Sequence, residues 1–189
     1  VVLLVAAAVN LAAWGLQNQL GAGWWWQLVP RRPHGIILHH SASPTMAAGQ
    51  QVDAALIDQV HARRGFGRAG GNRVYHIGYH YVILPDGTVE TGRPEWLPGA
   101  HTEGHNNQLG ICLIGNFSSS ANPTGAHGNT EPTPAQRAAL QKLLRRLARK
   151  YGFGPQHLHR HRDYAPTACP GDRFPFEQVR REAFPAASR

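Results

Sequence analysis

Residues 35–64 read GIILHHSASPTMAAGQQVDAALIDQVHARR, and the change of pattern inside them decides the fold class. Gly35 to His39 is a short apolar run, bounded by Pro33 before it and by a polar Ser-Ala-Ser-Pro turn after it. Runs of this length between turn residues read as buried strands. From Gln51 to Arg64 the pattern differs. Val52, Leu56 and Val60 recur at spacings of four, which is one face of a helix, and Gly65 offers a stop.

The same alternation continues outward from this stretch. Residues 79–84 (YHYVIL) and 88–91 (TVET) flank Pro85-Asp86-Gly87, and an Asp-Gly turn between β-formers predicts a hairpin. Leu109 to Ile114 is a second buried strand, and residues 118–130, rich in Ser, Asn, Gly and Thr, form a loop. Thr133-Pro134-Ala135-Gln136 then supplies an N-cap, a proline at the first helical position and a capping-box glutamine. Leu140, Leu143, Leu144 and Leu147 give that helix an apolar stripe, and Gly152 ends it. A strand over Gln156–Arg160 and a short helix over Phe176–Phe184 complete the pattern. Strands interleaved with helices predict an α/β fold: a single domain over residues 35–185, with a central mixed β-sheet flanked by helices.

Residues 1–34 have a different character. Val1 to Leu16 is apolar except for Asn10, and Trp24-Trp25-Trp26 precedes Arg31-Arg32. This reads as an N-terminal apolar segment, the later part of a signal peptide or membrane anchor, with membrane contact through residues 1–30. The alternative is an amphipathic segment packed on the domain. Either exported form places the chain outside the cytoplasm.

Composition narrows the partners. The net charge is +8, from 19 Lys and Arg against 11 Asp and Glu. A basic surface favours a polyanion: nucleic acid, an anionic membrane face or anionic cell-wall polymers. No helix-turn-helix or zinc-finger spacing is visible, which argues against nucleic acid as the primary partner. The two cysteines differ in setting, Cys112 in the apolar LGICLIG and Cys169 in the polar TACPGD. They read as separate residues, one packing and one reactive or metal-binding, and not as a disulfide.

Histidine is abundant, with twelve in 189 residues. His39 ends the first strand, and His161 and Cys169 lie eight residues apart in HRDYAPTACPG. Two imidazoles and a thiolate are ligands that zinc accepts, and three protein ligands leave a fourth position for water. Side chains alternate along a strand, so one of His39 and His40 faces such a site; spacing does not choose between them. Cys169 as a nucleophile with His161 as its base is the competing enzyme chemistry.

Four segments in order, ILHHSAS, GYHYVILPDGTVETGR, GAHTEGHNNQLGICLIGNF and HRDYAPTACPGD, resemble the type-2 N-acetylmuramoyl-L-alanine amidases. That family includes amidase-type phage lysozymes and the peptidoglycan recognition proteins. The resemblance implies a zinc hydrolase acting on peptidoglycan or muropeptides, at the amide between N-acetylmuramic acid and L-alanine. It implies Zn2+ ligands at His39, His161 and Cys169, a catalytic tyrosine at Tyr79, and Thr167 near the reacting carbonyl. Phage members carry lysine where Thr167 stands, so a full positive charge is missing there. His101 and Asn106 fall where the family lines its substrate groove. The non-enzyme alternative within this family is a peptidoglycan-binding recognition module without catalysis, which typically lacks the cysteine ligand.

Overall fold

The computed structural model describes residues 32–185, so the readings made of residues 1–31 lie outside them. In chain order the strands are β1 (Ile36–His40), β2 (Met46–Ala47), β3 (Gln50–Gln51), β4 (Arg68–Gly70), β5 (Arg73–Tyr75), β6 (Tyr81–Ile83), β7 (Val89–Thr91), β8 (Leu109–Leu113) and β9 (Leu158–Arg160). The helices are α1 (Ala54–Arg63), α2 (Pro134–Tyr151) and α3 (Phe176–Ala183).

Five strands form one sheet in the order β7-β6-β8-β1-β9. β6, β8, β1 and β9 run parallel, while β7 pairs antiparallel with β6. The sheet is therefore mixed, as the sequence predicts. β1 and β8 are buried along their whole length, which is why both read as unbroken apolar runs.

The two faces of the sheet have separate partners. Ile36 and Leu38 of β1 share a face with Ile111 and Leu113 of β8, and the stripe Leu140, Leu143, Leu144 and Leu147 of α2 packs on them. Phe176 and Val179 of α3 join the same cluster. On the opposite face, Val82 of β6 packs with Ile57 of α1 and with Val52, Ile77, Leu84 and Ile114.

The start of α2 follows its sequence closely. Thr133 caps it, its hydroxyl accepting from the Gln136 amide at 3.0 Å, and Gly152 ends it in a left-handed conformation with φ 74°. Gln136 does more than close the box. Its side chain is fully buried, and Nε2 donates to the carbonyls of Ile83 (3.0 Å) and Ile114 (2.9 Å). The glutamine thereby fastens the helix start to the ends of β6 and β8.

Three details differ from the sequence reading. Asp53 caps α1, its carboxylate accepting from the Leu56 amide at 2.8 Å, so Val52 precedes the helix. The buried helix positions are Ile57 and His61, while Val60 is 43% exposed. Of the predicted face, Val52 is buried just ahead of the helix and Leu56 packs partly against the core, while Val60 turns outward. The predicted strand over residues 156–160 begins only at Leu158, because Pro155–His157 makes a 3-10 turn, closed by the Gly154 amide donating to His157 Nδ1 at 2.9 Å. The hairpins β2–β3 and β4–β5 are additional. Their strands are mostly exposed and carry no period-2 apolar signal. Among the described residues no helix is long and apolar enough to cross a membrane.

Candidate metal centre

The alternation of β1 separates its two histidines. His40 turns to the α2 face, where its Nδ1 accepts from the Phe117 amide at 3.0 Å. His39 turns the other way, toward the rings of His161 (4.6 Å between centroids), His101 (5.0 Å) and Tyr79 (5.1 Å). The choice that spacing leaves open falls to His39.

Neighbouring strands bring the other residues in. β9 lies beside β1 with Leu38 opposite Arg160, so His161, the next residue, emerges beside His39. The loop after it returns Cys169, whose Sγ lies 3.6 Å from His39 Nδ1. The same sulfur accepts from the His40 amide at 3.4 Å. His39, His161 and Cys169 offer ligand atoms that all lie within 4.8 Å of one another, the one such cluster among the described residues.

The donor set fits zinc. With Zn–N and Zn–S bonds of about 2.0–2.3 Å in a tetrahedron, a nitrogen and a sulfur ligand stand about 3.6 Å apart. That is the separation of His39 Nδ1 from Cys169 Sγ, 3.6 Å.

Burial sets the protonation states. It holds His39 well below the usual histidine range, helped by the positive charge that His101 and His161 would carry. Burial lowers His161 as well. Both are therefore neutral near pH 7, the form that binds a metal. Burial pushes the Cys169 thiol up to about 12, against the pull of the His40 amide and the Arg162 guanidinium. Without a cation beside it this sulfur is a thiol, which is a poor nucleophile; a divalent cation would favour the thiolate. The cysteine-peptidase chemistry is disfavoured accordingly. Cys112 is buried in β8, in register with His39, and both cysteines are free thiols.

Tyr79 stands beside this cluster. Burial, followed by the neighbouring sulfurs of Cys112 and Cys169, raises its phenol well above the usual value, so it stays protonated and hydrogen-bonds Cys112. Thr167 is exposed, and its hydroxyl oxygen accepts from the Cys169 amide at 3.2 Å, leaving the O–H to donate elsewhere. Asn106 works inside its own loop, with Oδ1 accepting from the amides of His101 (2.8 Å) and Thr102 (3.0 Å). His101 lies against His39 in a slot floored by Gly99 and Gly110. A Cβ on either glycine would stand 2.4 or 2.5 Å from the His101 ring.

Two features carry no prior assignment. Arg93 is 3% exposed and donates to the carbonyls of Ile77 (2.8 Å), Pro98 (2.8 Å) and Phe66 (2.5 Å), fixing the approach to Tyr79. It closes the TVETGR motif, between Glu90 and Glu95 in sequence, and nothing in that setting marks it as buried. A cavity of about 250 Å³ opens beside Tyr79, between Ser41, Leu56, Val60, His61 and Arg64. The exposed Val60 of α1 and the rim residue Leu56 line this cavity.

The family model described as N-acetylmuramoyl-L-alanine amidase matches residues 29–172. The chain belongs to the N-acetylmuramoyl-L-alanine amidase family. The endolysin of Enterobacteria phage T3 is 36% identical to this amidase over 146 residues, covering 76% of this chain and 85% of the endolysin. The structure of the N-acetylmuramoyl-L-alanine amidase LysC from Clostridium intestinale aligns with a TM-score of 0.62 at 35% identity, over 82% of this chain and 85% of LysC. A mutant of Drosophila PGRP-LB in complex with tracheal cytotoxin aligns with a TM-score of 0.55 at 26% identity, over 79% of this chain and 80% of that one.

Proposed function

We propose that this amidase hydrolyses the amide bond between N-acetylmuramic acid and L-alanine of bacterial peptidoglycan, with zinc held by His39, His161 and Cys169. The observation that carries the reading is the meeting of three donors within 4.8 Å, one from β1, one from the 3-10 turn that follows β9 and one from the loop beyond it. When bound, such an ion supplies Lewis acidity: it polarises an amide carbonyl and makes water acidic enough, with a pKa of ~7, to yield a nucleophile at neutral pH. The protein supplies the rest. Tyr79 keeps its proton, and its Oη–H, turned from Cys112, can donate a hydrogen bond to the carbonyl oxygen as that atom gains negative charge. The Thr167 O–H adds a second donor from the loop that carries Cys169. One such donor is commonly worth about 10²–10³ in rate. The cavity beside Tyr79 gives the substrate an apolar wall and one cation, Arg64.

A recognition module without catalysis would have no need of the third donor. Cys169 is present, 7% exposed and turned toward His39, which favours catalysis. The substrate places the action outside the cytoplasm, and the +8 charge suits contact with anionic wall polymers. Defined muropeptides digested with zinc-loaded protein should yield free stem peptides, identified by mass. Stripping the zinc should abolish this and restoring it should recover it; turnover that survives complete zinc removal refutes the assignment.

A further inference from the structure

His39 is a neutral imidazole with one proton, and the nitrogen that keeps it decides what the other can do. Its Nδ1 faces Cys169 Sγ at 3.6 Å, and its Nε2 faces Nδ1 of His101 at 3.0 Å. His101 has a further partner, the main-chain carbonyl of Gln108, 3.2 Å from its Nε2. A carbonyl can only accept, so His101 carries its proton on Nε2 and leaves Nδ1 bare. The hydrogen bond between the two rings then needs its proton from His39 Nε2. With that proton in place, His39 Nδ1 has a free lone pair, and it points toward Cys169. The Thr102 hydroxyl, 3.1 Å from the same His101 nitrogen, can only share that nitrogen's single lone pair with His39 in a three-centre contact, which also leaves the nitrogen an acceptor.

The surroundings hold His101 in the one pose that does this. Its amide is fixed by Asn106 Oδ1 at 2.8 Å, and the ring fills the slot over Gly99 and Gly110 that admits no Cβ. We propose that the Gln108 carbonyl, acting through His101, sets the tautomer of His39 and so aims its Nδ1 at the metal. His101 is thus a positioning residue, distant in sequence from the ligand it orients. The proposal rests on the ligand assignment above and deepens it. Partners of this kind orient ligating histidines and raise their basicity.

The test uses the full chain, zinc-free and zinc-loaded. Long-range proton–nitrogen correlation of the imidazoles reports the tautomer directly. Competition with a chromophoric chelator reports zinc affinity for wild type, His101→Ala and His101→Asn, with thermal melts of each zinc-free protein alongside. In wild type His39 should be a single Nε2–H tautomer before and after loading. His101→Ala should leave mixed tautomers and weaken zinc roughly 10–100-fold. His101→Asn, whose Oδ1 can stand where Nδ1 stood, should recover most of that loss. A protonated Nδ1 on His39 in the zinc-free wild type overturns the proposal. So does unchanged zinc affinity in the Ala variant, or an Asn variant as weak as Ala. Should the variants not fold, the wild-type spectrum decides alone. Wild type that takes up no zinc counts against the metal reading, and the tautomer measurement still judges the relay.

Discussion

Replacing Gln136 by Glu should destabilise the protein more than replacing it by Ala. The capping box treats Gln and Glu alike, since either accepts a hydrogen bond from the N-cap amide. Gln136 does accept from the Thr133 amide, at 3.1 Å. Its other end donates to two carbonyls, Ile83 at 3.0 Å and Ile114 at 2.9 Å, in a fully buried position. The Ala variant leaves two buried acceptors unpaired, at about 1–3 kcal/mol each. It also loses the contact to the cap, about 0.5–1 kcal/mol. Together these come to about 2.5–7 kcal/mol. The Glu variant keeps the cap contact but turns an oxygen on both carbonyls. Ionised, it adds the desolvation of a charge; protonated, it satisfies one carbonyl. Its folded pKa therefore rises above the unfolded value of about 4.3. A raised carboxyl pKa makes the folded state bind more protons, so the penalty is absent below ~4.3, grows as pH rises and is complete above the folded pKa. Denaturant unfolding of the three proteins at pH 7 and pH 5, in excess chelator, measures this. The Glu variant should be the least stable at pH 7, and its gap from the Ala variant should narrow at pH 5. A Glu variant as stable as wild type at pH 7 would mean that Gln136 is a cap and nothing more.

Other consequences are as direct. Tyr79→Phe should lower kcat by about 10²–10³ while zinc affinity and KM change little, as steady-state kinetics and chelator competition would show. Wild type should gain ~2.7 kcal/mol of stability with zinc at a hundred times its Kd, and Cys169→Ser should gain almost none under the same conditions. Burial lowers His61 to about 4, and its Nδ1 accepts from the Gly78 amide at 2.9 Å. A depressed histidine pKa contributes stability that is present above ~6.5, the unfolded value, and is lost as pH falls toward the folded one. Unfolding midpoints should therefore drop between pH 6.5 and 4, and His61→Asn, which keeps an acceptor there without titrating, should flatten that slope.

The readable parts of the fold were those where one local rule acted alone. Thr133, Pro134 and Gly152 mark α2 because cap chemistry lies within a few residues. β1 and β8 are apolar throughout because both faces are covered. The inward face of α1 was only partly readable: Asp53 moved the helix start, Leu56 packs on the rim of the core, and the exposed Val60 lines a cavity. At the candidate centre, residue types suggested the donors, but which of His39 and His40 faces the cluster depended on a packed partner, Phe117, for the other ring. Arg93 acts through the carbonyls of Ile77, Pro98 and Phe66, and His101 through that of Gln108 seven residues on, and main-chain carbonyls carry no side-chain signature in the sequence.

One feature of the sheet has a bearing on how such a centre is kept. His39 in β1 and His161, the first residue after β9, each stand one residue beyond the paired Leu38 and Arg160 of these adjacent parallel strands. Strands in a sheet stand about 4.8 Å apart, whatever their side chains. The main chain thus acts as a gauge block for the two imidazoles, machined by hydrogen bonds that mutation of the loops does not reach. Loops around the site are free to diverge and retune what is cut, while the jaw formed by these two imidazoles keeps its opening.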